Sequence, residues 1–236
     1  MPEPVPRAEL LRSLGRLVRG LSALFWGLPL ALVVCFHTAK AEALRSFGIV
    51  PPLAVTGLLV YGLWQLGDFQ KQERVWRNAL DCARILALID FGLSPFLYWW
   101  NQVPSNSFYL AMVLLEVVSG LAFLGSLNWV LQRLAAMLPD EALRLETRQF
   151  TALNFNLLLV TASCGLLYAL YLTGQPDHGA HRVQRLSPWM ATVTQVIDRG
   201  SNWFLVLLVL CPVALTMALL WKTKEVILDS IFGAQD

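Results

Sequence analysis

From residue 81 to residue 116 the chain reads DCARILALIDFGLSPFLYWWNQVPSNSFYLAMVLLE. Two apolar arms flank a short uncharged turn, residues 101–107, and each arm carries one carboxylate, Asp90 or Glu116. An arm of about 20 residues matches the thickness of a bilayer core. In hydrocarbon a lone chain segment must pair its own backbone polar groups, and a helix does that. The stretch therefore reads as a membrane helical hairpin with acids at depth.

The rest of the chain agrees. It is 56% hydrophobic and only 14% charged, with a mean hydropathy of +0.56. Soluble domains run near ~45–50% apolar and ~25% charged. Too little polar surface exists to cover a water-facing globule. A net charge of +2, with no basic patch interleaved with aromatics, excludes a nucleic-acid binder. Cys35, Cys82, Cys164 and Cys211 are widely spaced, form no CxxC, and read as small buried hydrophobes.

The pattern predicts an all-α, multispanning bundle, one integral membrane domain over residues 1–236, with about six transmembrane helices. They are placed at residues 20–39, 46–67, 79–100, 108–131, 153–173 and 202–221. Before them, residues 8–20 put Leu10, Leu11, Leu14, Leu17, Val18 and Leu21 at helical spacing, with Arg12, Arg16 and Arg19 on the other side. That is a basic amphipathic helix suited to the headgroup plane. Basic residues, an apolar core and Ala39-Lys40-Ala41 also resemble a cleavable signal peptide. The long apolar run and the lysine within the site favour a retained span.

Punctuation marks the helix ends. Pro51-Pro52 fits only a first helical turn. Pro95, inside the third span, predicts a kink. Leu138-Pro139-Asp140-Glu141 looks like a helix start, with proline and acids in the first turn. A helix unbroken from there through the fifth span would be about 50 Å long and would project beyond the membrane. Residues 186–197 are semi-apolar and suit the interface. Asn154 and Asn156, at the start of the fifth span, and Asn128 and Asn202, near span ends, read as interfacial hydrogen-bonding groups.

Orientation follows from the basic residues. With six spans, one side holds Arg7, Arg12, Arg16, Arg19, Lys71, Arg74, Arg77, Arg133, Arg144, Arg148, Lys222 and Lys224. The other holds Lys40, Arg45, Arg182, Arg185 and Arg199. Both termini are expected in the cytoplasm. The high ratio of arginine to lysine fits a bacterial genome, so the expected location is the plasma membrane, as a bacterial inner-membrane protein.

Asp90 and Glu116 are the strongest functional candidates. Counted from the outer turn at about 1.5 Å per residue, they lie roughly 16 and 14 Å deep. A charged group at that depth costs a few kcal/mol and normally faces the protein interior. Asp81 and Arg84 form a helical i, i+3 pair at the cytoplasmic end of the third span. Arg84 is turned away from Asp90. His178, His181 and His37 fall on one side of the membrane, but HGAH is a weak match to metal-ligand spacing. No metal and no cofactor is expected. Walker A, GxGxxG, HExxH and GxSxG motifs are absent, so no enzyme is expected.

Two function classes remain. The first is a non-catalytic accessory or scaffold subunit of a membrane complex. Besides membrane lipid, it would contact another membrane subunit or a cytoplasmic protein through residues 8–20 and 133–153. The second is a small permease or transporter membrane subunit using Asp90 and Glu116.

Overall fold

The computed structural model describes residues 7–40, 44–67, 69, 73–138, 141–173 and 188–232. Among the described residues the regular structure is entirely helical. Helix α1 spans Arg7–Lys40, α2 Val50–Leu66, α3 Arg74–Leu93, α4 Pro95–Gln102, α5 Ser107–Met137, α6 Glu141–Thr173 and α7 Pro188–Phe232. A single 3₁₀ turn, Arg45–Phe47, precedes α2, and Gly48 completes that corner with a φ of 61°. Such a φ favours glycine, which has no Cβ to clash.

The expected start signals operate. Pro51 and Pro52 open α2, where a missing N–H is harmless. Asn106 caps α5, its side-chain oxygen accepting from the Phe108 N–H at 3.0 Å. Pro95 breaks the third expected span into α3 and α4 at Ser94. The carbonyl that Pro95 cannot serve belongs to Phe91. The Ser94 hydroxyl takes it at 3.0 Å. Helix α6 starts at Glu141 and runs unbroken for 33 residues, about 50 Å.

Among the described residues four helical stretches are long and apolar enough to cross a membrane: Arg12–Lys40, Ser107–Met137, Arg144–Leu167 and Leu207–Asp229. Expected spans 46–67 and 79–100 fall outside that group for physical reasons. Helix α2 is apolar but has only 17 residues. Helix α3 carries Asp81, Arg84 and Asp90 and stops at Ser94.

Packing also revises the N-terminal expectation. No separate interfacial helix precedes the first span, because residues 7–40 form one continuous helix. Leu17 and Leu21 of its apolar stripe are fully buried inside the bundle. They belong to the core of the bundle. Gly20 and Gly62 allow the crossing of α1 and α2. A Cβ on Gly20 would lie 2.7 Å from the Gly62 carbonyl, and one on Gly62 would meet Leu24 Cγ at 2.9 Å. The sequence spacing of the glycines hid their use, because the partners lie on different helices.

Elsewhere α3 packs mainly on α5, α5 on α6 and α7, and α7 on α1 and α6; α4 bridges α1 and α5. Leucines of α1, α2, α3, α5 and α7 fill the core. Helix α6 is inverted relative to a helix of a soluble protein. Thr147, Asn154 and Thr161, at heptad spacing, are 0%, 0% and 5% exposed, while Phe155 and Leu159 are 63% and 61% exposed. Polar groups inside and large apolar groups outside suit a hydrocarbon solvent.

Candidate functional site

Helix α3 places Asp90 by its packing stripe. Trp76, Ala79, Leu80, Ala83, Ala87 and Asp90 are its buried residues, and they recur at helical spacing along one face. The small side chains Ala79, Ala83 and Ala87 recur along this buried face, and α3 packs mainly on α5. Asp90 therefore takes the next core position of a stripe that begins as ordinary apolar packing. It is 8% exposed.

Across from it, α5 contributes Glu116 and, one turn on, Ser119. Glu116 lies within electrostatic reach of Asp90, and Ser119 sits beside Asp90. Cys35 of α1 is within reach of both acids. Three helices thus converge on the two carboxylates. Asp90 Oδ1, Glu116 Oε2 and Ser119 Oγ are all buried without a hydrogen-bond partner. Ser119 is close to Asp90, but its hydroxyl geometry falls short of a bond. Buried polar atoms are normally paired, and an unpaired carboxylate oxygen is costlier than an unpaired neutral one.

The Asp81–Arg84 pair forms as expected, with Arg84 Nη1 3.2 Å from Asp81 Oδ1. Arg84 has a second task that the sequence did not signal. Its Nε and Nη2 donate to the Leu63 carbonyl at 3.4 and 3.3 Å, and Nη2 to the Trp64 carbonyl at 3.4 Å. The guanidinium carbon lies 5.3 Å from the Trp64 ring centroid. Arg84 therefore caps the last turn of α2, where carbonyls lack helical partners and a cation suits the dipole. A side chain at Gly67 would run into the guanidinium.

A second polar cluster joins α5, α6 and α7. Asn128 and Asn154 are 2% and 0% exposed, so neither is an interfacial group. Both side-chain amides donate to Thr216 Oγ1, at 3.0 and 2.9 Å. Thr216 in turn donates to the Pro212 carbonyl at 2.8 Å. Pro212 interrupts α7 and leaves the Leu208 carbonyl without its helical donor. Thr161 of α6 supplies one at 3.1 Å. Hydropathy alone placed these asparagines by depth along the axis, whereas their role depends on angle around it. Asn156 is exposed, and the side chain of Asn202 lies outside the described residues.

His37 is exposed on the last turn of α1. His178 and His181 lie outside the described residues. Among the described residues no three His, Cys, Asp or Glu side chains gather closely enough to hold a metal ion. Comparison with known protein families, curated proteins and solved structures finds no match to this chain. The fold defines an all-helical protein with apolar helices long enough to cross a membrane.

Proposed function

We propose that this is a six-span plasma-membrane protein, with both termini in the cytoplasm, that acts as a small proton-coupled permease or the membrane subunit of a transporter. The observation that carries this reading is the Asp90–Glu116 pair, whose buried oxygens have no partner inside a lipid-facing bundle. Ionisable groups at such depth mark proton or substrate pathways more often than packing. In this reading a proton resides on one or the other carboxylate, and Ser119 Oγ lies beside Asp90. Six spans follow if α2, and α3 with α4, cross beside the four longer helices. The basic residues then give the orientation.

The test is proton flux in proteoliposomes with an internal pH-sensitive dye. Wild type should carry a flux driven by an imposed pH gradient, and Asp90→Asn with Glu116→Gln should abolish it. Equal flux in the double variant would remove the acids from the mechanism.

A second reading is a non-catalytic accessory or scaffold subunit of a membrane complex. The cytoplasmic part of α6 favours it, with Leu145 63% exposed between the exposed Arg144 and Arg148. Affinity purification in mild detergent separates the two. A stoichiometric partner that stays bound to both wild type and the double variant, with no flux in either, supports the accessory role. The burial of Leu17 and Leu21 within the bundle weakens that reading, because it removes part of the stripe expected to dock a partner.

A further inference from the structure

Where α5 ends and α6 begins, Gln132, Arg133, Ala136, Arg144 and Arg148 line an open cleft of about 340 Å³. Three guanidiniums are thus gathered from two helices. Arg144 and Arg148 are spaced i, i+4 on α6, where like charges repel. One bond secures the group, from Arg144 Nη2 to the Ala136 carbonyl at 3.3 Å. The described carboxylates nearby do not compensate the charge. Glu146 pairs with Lys222 of α7. Glu141, one turn before Arg144, is exposed and makes no ion pair with it. Among the described residues no carboxylate pairs with any of the three arginines.

The surface leading away from the cleft has the opposite character. On α6 the face that carries Arg144 and Arg148 continues, by helical spacing, into Phe155, Leu159 and Leu166. These are 63%, 61% and 62% exposed. Phe155 lies two turns beyond Arg148, about 10 Å along the axis. On α5, Trp129 sits one turn from Arg133 and is 45% exposed; indoles favour the headgroup level. A cationic cleft therefore opens onto an apolar track in the membrane direction.

We propose that this cleft binds the phosphate headgroup of an anionic phospholipid, with an acyl chain lying along Phe155 and Leu159. Arginine forks suit phosphate oxygens, and basic pockets at the ends of membrane helices accept lipid headgroups. A free phosphate would satisfy the arginines but leave the apolar track unused. The site does not depend on the acid pair or on which leaflet it faces.

The experiment is native mass spectrometry of the detergent-solubilised full chain, titrated with phosphatidylglycerol, with phosphatidylcholine of the same acyl chains, and with inorganic phosphate. Phosphatidylglycerol should bind in preference to both others. Each single Arg→Gln change at 133, 144 or 148 should weaken it about 5-fold, and R133Q/R144Q/R148Q about 100-fold. Arg74→Gln with Arg77→Gln, at exposed positions on α3, should leave it unchanged. Equal phosphatidylglycerol binding by the triple variant, or equal loss in the α3 control, would overturn the proposal. Equal binding of inorganic phosphate would assign the cleft to a free anion instead. If the triple variant fails to fold, a photoactivatable phosphatidylglycerol on wild type decides. Labelling should fall within residues 129–159. Labelling elsewhere, or crosslinking of the cleft to an acidic protein in native membranes, would refute the lipid site.

Discussion

The bundle contains two buried polar clusters that differ in how far their groups are paired. In the α5–α6–α7 cluster, Asn128, Asn154 and Thr216 all make bonds between helices or to the Pro212 carbonyl. Its bare atoms are neutral amide oxygens, Asn128 Oδ1 and Asn154 Oδ1. In the α1–α3–α5 cluster the bare atoms include one oxygen of each carboxylate. Neutral, largely bonded groups hold helices together. Unbonded carboxylate oxygens cost the folded bundle more than unbonded neutral ones. The difference sets a cohesive cluster apart from the one on which the proposed proton pathway rests.

The largest effect tests that separation directly. Asp90→Asn with Glu116→Gln should cut proton flux at least tenfold while stability stays level or rises, because amides are cheaper to bury than carboxylates. Dye-reported flux and a denaturant unfolding curve on the same sample check both halves. A large stability loss with intact flux would reverse the assignment of the clusters. Next comes a steric standard. Gly20→Leu should destabilise the α1–α2 crossing by about 1–3 kcal/mol through overpacking, read as a lower unfolding midpoint. No shift would mean that the close approach at Gly62 is dispensable.

Thr216→Val removes the acceptor shared by Asn128 and Asn154. It should cost about 1–2 kcal/mol and leave flux per folded protein unchanged. Flux loss without destabilisation would move this cluster to the functional side. The smallest effect belongs to Ser94→Ala, about 0.5–1.5 kcal/mol, since it orphans only the Phe91 carbonyl. A thermal unfolding midpoint indistinguishable from wild type would show that carbonyl to be satisfied another way.

Several features were legible along the chain because short-range chemistry decides them. The 101–107 turn, the start of α2 at Pro51-Pro52, the start of α6 at Glu141 and the Asp81–Arg84 pair each depend on residues within one or two turns. The rise per residue put Asp90 and Glu116 at matching distances from the turn, and the structure brings them within electrostatic reach of each other. Their convergence was not legible, because it depends on which face of α3 meets α5. The unbroken α1, the Gly20–Gly62 crossing, the Arg84 cap on α2 and the buried asparagines were hidden. Each is decided by which helix lies alongside, and hydropathy records distance along an axis rather than bearing around it.

Pro95 and Pro212 end with different mechanical properties. At Pro212 the freed Leu208 carbonyl is held by Thr161 of another helix, so α7 cannot flex there without tearing a strut. At Pro95 the freed Phe91 carbonyl is held by Ser94 of the same chain segment. Among the described residues the cross-brace at that serine is a long 3.4 Å bond from Thr56. The backbone at this joint is therefore satisfied within its own segment, and helix α4 is moored at its far end to α1 by Asn101 on the Thr38 carbonyl at 3.0 Å. The bend one turn from Asp90 thus rests on a local hydroxyl, whereas the one at Pro212 rests on a neighbouring helix.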